Sequence, residues 1–271
     1  MEAGPLITPT ASPLSSFGQI LRSEWTKIRS VRSTYWSLFA AAFATIGIAA
    51  LICSVYVGRY ANISPQDRAD FNPTQFSLNG VNLAQIAVGV LGVLVISSEY
   101  GTGMIRATFT AVPQRRQVLA AKAIVFAATA FVVGTVASFI AYFVGQAILA
   151  TRGLGSSIGD PGVFRAVTGG GLYLAVLGLL GLALGAIIRY SAGGISALFA
   201  LLFVLPVLTN FLPSSWQNTI SPYLPADAGR QVFLMRHQAH ALSPWAGFGV
   251  FCLYAAILLA VAAVLITRRD A

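Results

Sequence analysis

Six long apolar stretches dominate the chain, roughly residues 34–57, 81–98, 123–149, 166–188, 193–212 and 246–267. Each is about long enough to cross a ~30 Å hydrocarbon layer as a helix. In lipid every backbone N–H and C=O needs a partner, which leaves helices or a closed β-barrel. The alternation of a barrel is absent, so the pattern predicts an all-α polytopic membrane protein with six transmembrane helices. Runs four and five are separated only by Arg189-Tyr190-Ser191-Ala192. Their joint length far exceeds one crossing, so a tight turn is expected there. Composition agrees. Only 9% of the 271 residues are charged, against about 25% in a soluble domain. A soluble enzyme, a disordered chain and a disulfide scaffold are excluded. Cys53 and Cys252 lie in apolar runs, where cysteine behaves as a small hydrophobe, and read as free thiols.

Residues 1–14 hold three prolines and no Lys or Arg. Without a basic n-region this is no signal peptide, and a disordered cytoplasmic tail is expected ahead of a six-span transmembrane domain over 15–271. With the N-terminus inside, eleven basic residues fall on inner segments and six on outer ones. The outer set is partly offset by Asp67, Asp70, Asp160 and Asp227. The net charge of +9 therefore follows the positive-inside rule and calls for no nucleic acid. Both termini are expected in the cytoplasm. No span centre carries a charge, which argues against a proton pump or ion-coupled carrier.

Three segments outside the spans are shaped. In 15–32, Phe17, Ile20, Leu21, Trp25, Ile28 and Val31 share one side at helical spacing while Arg22, Lys27 and Arg29 fall off it. This is a basic amphipathic helix for the inner interface, read either as a plain membrane anchor or as a brace for a partner. Glu24 lies inside its apolar stripe, where a lone carboxylate is costly. It is expected to pair with Lys27 or to face protein. The inner loop after span two ends a helix at Glu99, breaks at Gly101 and Gly103, offers a short helix over 104–112, and stops at Pro113. Met104, Ala107 and Phe109 can meet an apolar surface. Arg115 and Arg116 open the third span, and Lys122 is expected to snorkel. The loop is either an ordinary basic connection or a docking element. The outer segment 213–245 is too polar to cross and too aromatic to be a free loop. It reads as an aromatic anchor or as a re-entrant hairpin with a helix from Asp227 to about Met235.

Within the spans, Gly181 and Gly185, and Gly89 and Gly92, permit close helix approach. Pro206 is expected to kink the fifth span. Asn82, Gln85, Gln146 and Asn210 either hydrogen-bond between helices or line a path. Catalytic constellations are scarce. His237 and His240 have no companions at zinc-ligand spacing, Ser196 has no intramembrane histidine to act as its base, and no GxxxxGK[ST] phosphate loop occurs. No catalytic and no metal-binding residue is assigned.

Glu24-Trp25-Thr26-Lys27-Ile28-Arg29, Glu99-Tyr100-Gly101-Thr102-Gly103-Met104-Ile105-Arg106 with Pro113-Gln114-Arg115-Arg116 and Lys122, and Pro222-Tyr223-Leu224-Pro225-Ala226-Asp227-Ala228-Gly229 together resemble a permease subunit of the type-2 ATP-binding-cassette exporters, of actinobacterial style. The likeness runs from about residue 17 over nearly the whole chain. It implies a plasma-membrane protein that pairs with a second permease copy, identical or not, to form the path. It also implies a separate cytoplasmic ATPase that carries the ATP and Mg. The segment 103–112 would be the coupling helix, the helix bearing Glu24, Trp25, Lys27 and Arg29 would brace it, and the hairpin with Pro222, Pro225 and Gly229 would be an outer gate. A membrane-embedded immunity, sensor or assembly protein is the competing reading. The charge count makes a direct prediction. Single cysteines at Gln66 and Ser156 should react with an impermeant thiol reagent on intact cells and one at Gln114 should not; labelling at Gln114 would overturn the topology.

Overall fold

The computed structural model describes residues 17–236 and 240–269. The expected tail, residues 15 and 16 of the amphipathic segment, and His237 lie outside them. Among the described residues all regular structure is helical. The amphipathic segment forms α1 (Phe17–Ser30) and meets α2 (Arg32–Arg59) at Val31, a single extended residue. Two short helices follow, α3 (Pro65–Ala69) and α4 (Pro73–Leu78). Each opens on a proline, whose fixed φ suits a first turn, and each is capped by a side chain. Ser64 Oγ accepts from the Asp67 amide at 3.2 Å, and Asn72 Oδ1 from the Gln75 amide at 2.9 Å. Then come α5 (Val81–Gly101), α6 (Met104–Ala111), α7 (Arg115–Ala150) and α8 (Val163–Ile188).

Among the described residues six helical stretches are long and apolar enough to cross a membrane, and they match the six apolar runs. The turn between runs four and five is as tight as its length requires. Arg189 adopts a left-handed φ of 60° and α9 (Ser191–Phe199) begins two residues later. In the fifth span Pro206 acts one turn early. The helix widens to a π-turn over Ala200–Val204 before α10 (Leu205–Thr209). Proline lacks an N–H and crowds the carbonyl four residues back, and the wider turn gives that carbonyl room.

The core is built around α8, 72% buried over its apolar window, against 22% for the fifth and sixth spans. It packs chiefly between α5 and α7, and its glycines are the reason it can. A Cβ on Gly185 would stand 2.6 Å from the Val93 carbonyl of α5. One on Gly181 would overlap the Gly89 carbonyl, and one on Gly171 would strike Thr135 of α7. Without a hydrophobic drive between helices in lipid, such close backbone approach supplies the packing energy. The intramembrane amides serve the same end. Tyr173 of α8 donates to Gln85 Oε1 of α5 at 2.5 Å, and Gln146 Nε2 of α7 donates to Ser77 Oγ of α4 at 3.1 Å. Asn82 and Asn210 bond only locally, to the Asn79 carbonyl and to Gln217.

The segment after the fifth span folds inward. It comprises α11 (Ser214–Ile220), a single 3₁₀ turn containing Pro222, and α12 (Pro225–Arg230), before the last span, α13 (Pro244–Arg268). Val232 and Phe233 are fully buried, with Phe233 against Tyr173, so the hairpin does more than anchor. The helix expected from Asp227 to Met235 instead runs from Pro225 to Arg230. Pro225 sets the first turn and leaves Asp227 inside it. The early end has a visible cause. Arg165 of α8 donates to the carbonyls of Gln231, Val232 and Leu234 at 3.2, 2.7 and 3.1 Å. A continuing helix would need two of these.

The glycine face of α8 yields a paired expectation. Gly185→Val should lower the thermal midpoint of the detergent-solubilised protein, because overpacking typically costs ~1–3 kcal/mol. Gly47→Ala, where nothing lies within 4 Å of the added carbon, should leave it unchanged or raise it slightly. Equal behaviour of the two variants would mean α8 does not depend on close contact.

Candidate functional site

The inner loop turns on two different backbone devices. α5 ends at Gly101, and Gly103 then takes φ 73° with open space around its missing Cβ. Backbone conformation, not crowding, requires glycine there. α6 starts at Met104, and Val112 and Pro113 stop it in extended form. Its eight residues are amphipathic at i, i+4. Ile105 and Phe109 are buried against Ile20 of α1, Val118 and Ala121 of α7, and Ile266 of α13. Met104, Arg106, Ala107, Thr110 and Ala111 are exposed. Phe109 was expected on the contact surface. Its ring faces inward instead, with the Arg115 guanidinium 5.2 Å from its centroid. Arg115 also donates to the carbonyls of Ile266 and Arg269 at 3.2 and 3.3 Å, tying the start of α7 to the end of α13. Arg116 is exposed.

Beside α6 lies a closed ring of four charges. Glu24 of α1 receives Lys27 on Oε1 and Lys122 on Oε2, both at 2.7 Å. Glu99, at the end of α5, receives Lys122 at 2.7 Å and Lys27 at 3.2 Å, both on Oε1. Glu24, Glu99 and Lys122 are each 3% exposed or less. Lys122 therefore does not snorkel. It lies seven residues inside α7, where two carboxylates on one ammonium replace the water it would otherwise need. Glu24 pairs within the chain, which explains a carboxylate in an apolar stripe. Glu99, at the very end of the second span, pairs with Lys122 and Lys27.

The net charge of the ring is zero, and it joins α1, α5 and α7, which with α13 surround the buried face of α6. Burial pulls the Lys27 pKa down. Its hydrogen bond to Glu24 and the charges of Glu24 and Glu99 outweigh this and hold it above the ordinary lysine value. Its stabilising contribution is thus complete at neutral pH and is lost only as pH rises through that raised value.

On the outer side of the ring, α1 and α6 enclose a groove of about 380 Å³. Gln19, Ser23 and Lys27 line one wall and Ala107, Thr108 and Ala111 the other. Trp25 and Arg29 point away from it and are exposed. The hairpin residues Pro222, Pro225 and Gly229 belong to a separate region. There Gly229 lets α12 sit against the Phe251 ring of α13, with a Cβ position 2.8 Å from it.

Six spanning helices, an amphipathic helix laid across one end and a short exposed helix beside it define a multi-pass membrane protein of transporter architecture. The profile of the ABC-2 family transporter proteins matches residues 20–207, and the chain belongs to that family. The matched stretch takes in α1, the ring, α6 and nearly all of the fifth span; the hairpin and α13 lie beyond it. A comparison with curated proteins found no match.

The ring can be tested on stability alone. Lys122→Met should destabilise strongly, by roughly 3–5 kcal/mol, since it strands a buried carboxylate. Combining it with Glu24→Leu and Glu99→Leu should recover much of that loss. Additive losses in thermal unfolding would show that the four groups do not act as a unit.

Proposed function

We propose that this chain is the permease subunit of an ATP-driven exporter in the cell membrane, with both termini in the cytoplasm. Two copies, identical or not, form the path. A separate cytoplasmic ATPase binds ATP and Mg and drives it. The observation that carries the reading is α6. One face is anchored on Ile105 and Phe109 within the chain, and the opposite face, Arg106, Ala107, Thr110 and Ala111, is exposed. A push on that face reaches α7 through Val118 and Ala121, α1 through Ile20 and α13 through Ile266. The charged ring then makes α1, α5 and α7 respond together. The groove between α1 and α6 is the natural seat for the ATPase. Family membership supports the presence of such a partner, and the lack of a phosphate loop in this sequence puts hydrolysis on it.

The sparsely covered α2 and α9 flank α5 and offer surfaces for the second copy. At the far end the hairpin holding Pro222, Pro225 and Gly229, clamped by Arg165, serves as the outer gate. The lack of charge at any span centre suits an amphipathic or lipid-like cargo.

The purified chain alone should hydrolyse no ATP. Ala107→Trp and Arg106→Glu should each weaken co-purification of the ATPase and lower export, while leaving the thermal midpoint of the isolated chain close to that of the parent. Phe109→Ala should instead destabilise the chain, by ~3–5 kcal/mol for a buried phenylalanine. Unchanged ATPase association and export in both surface variants would refute the coupling role of α6.

A further inference from the structure

A second groove, of about 210 Å³, opens on the membrane side of the charged ring, between α1, α2, α5 and the start of α6. It is polar at one end and apolar at the other. Lys27, Ser98 and Glu99 mark the polar end, and Leu91, Leu94 and Val95 line the apolar end. Glu99 and Leu91 are eight residues apart on one helix, or about 12 Å. The ring leaves one group unused. Its four bonds occupy both oxygens of Glu24 and only Oε1 of Glu99. Glu99 Oε2 is buried and accepts no hydrogen bond, in a residue 3% exposed. No protein donor reaches this oxygen, and a buried carboxylate oxygen is stabilised by one, so Glu99 has capacity for a further N–H or O–H.

We propose that this groove binds an amphiphile headed by a protonated amine, with an N–H donating to Glu99 and the chain lying along α5 toward Leu91. The head must carry N–H donors. A quaternary ammonium supplies charge but no donor, and the ring is already neutral, so bare charge gains little. The volume is below the ~300 Å³ of the smaller drug sites. It holds a head and the first part of a chain, and the rest of the chain remains in the bilayer. Met104, exposed at the mouth of the groove, is unbranched and can adapt to different heads. Aminophospholipids and single-chain cationic cargo share this head chemistry.

The inference does not rest on the coupling reading, because binding is measured on the purified full chain with no ATPase present. Native mass spectrometry would compare dioleoylphosphatidylethanolamine with dioleoylphosphatidylcholine, and dodecylamine with dodecyltrimethylammonium. Each amine should bind about ten-fold tighter than its trimethylated counterpart, as one charge-assisted hydrogen bond provides. Glu99→Gln should erase that preference. Leu94→Trp, which fills the apolar end from a half-buried position, should weaken both amines several-fold without unfolding the chain. Preference for the phospholipid amine alone identifies a lipid site, and preference for dodecylamine alone a single-chain ligand. Equal binding of the trimethylated probes overturns the proposal. So does amine binding left unchanged by Leu94→Trp, which decides the matter should Glu99→Gln fail to fold.

Discussion

Two carboxylates and one ammonium group taken out of water, with the half-buried Lys27 beside them, must find one another, and that requirement places the inner end of this protein. Glu24, Lys27, Glu99 and Lys122 come from three separate helices, and each needs at least two of the others. The ring is weak evidence for net stability, because desolvation offsets much of the attraction. It is strong evidence for position: α1 cannot slide along α7, nor α5 rotate against either, without stranding a charge. α6 sits in the angle these helices form, and its Ile105 and Phe109 fill the space the ring leaves.

α8 is held along its length by close backbone contact instead. α8 meets α5 and α7 through glycines, and Arg165 and Tyr173 then fix what lies above it. The two kinds of contact differ in how they can move. Packed glycine faces tolerate small sliding, whereas an ion ring has discrete partners and tends to hold or break.

Much of the fold was legible from periodicity and length. The six spans, the break at Gly103, the stop at Pro113 and the tight turn at Arg189 each follow from one residue type with one physical consequence. The site was half legible. Glu24 announced itself as a carboxylate in an apolar stripe, and Glu99 as a charge at a span end. Lys122 carried the same signal, a charge well inside an apolar run, but a lysine near an interface has an easy alternative in reaching for water. Phe109 was misplaced because an amphipathic helix shows which face is apolar and not whether that face meets its own chain or another. Arg165 gave no local signal, since its acceptors, the carbonyls of Gln231, Val232 and Leu234, lie more than sixty residues away. Contacts to distant backbone leave no trace in side-chain pattern.

The carbonyls at the end of α13 are claimed by two guanidiniums made much earlier in the chain. Arg115 bonds those of Ile266 and Arg269, and Arg189 those of Leu265 and Arg269. Ile266 also completes the apolar nest around Phe109. During synthesis these acceptors emerge after the other five spans. Until then Phe109 lacks one wall and both arginines lack these acceptors. The cradle of α6 is therefore complete only once α13 is in place, and a chain cut short of its sixth span would present α6 in an unfinished one. Arrival of the sixth span thus works as a built-in check on completeness, set by nothing more than the order in which the ribosome makes the parts.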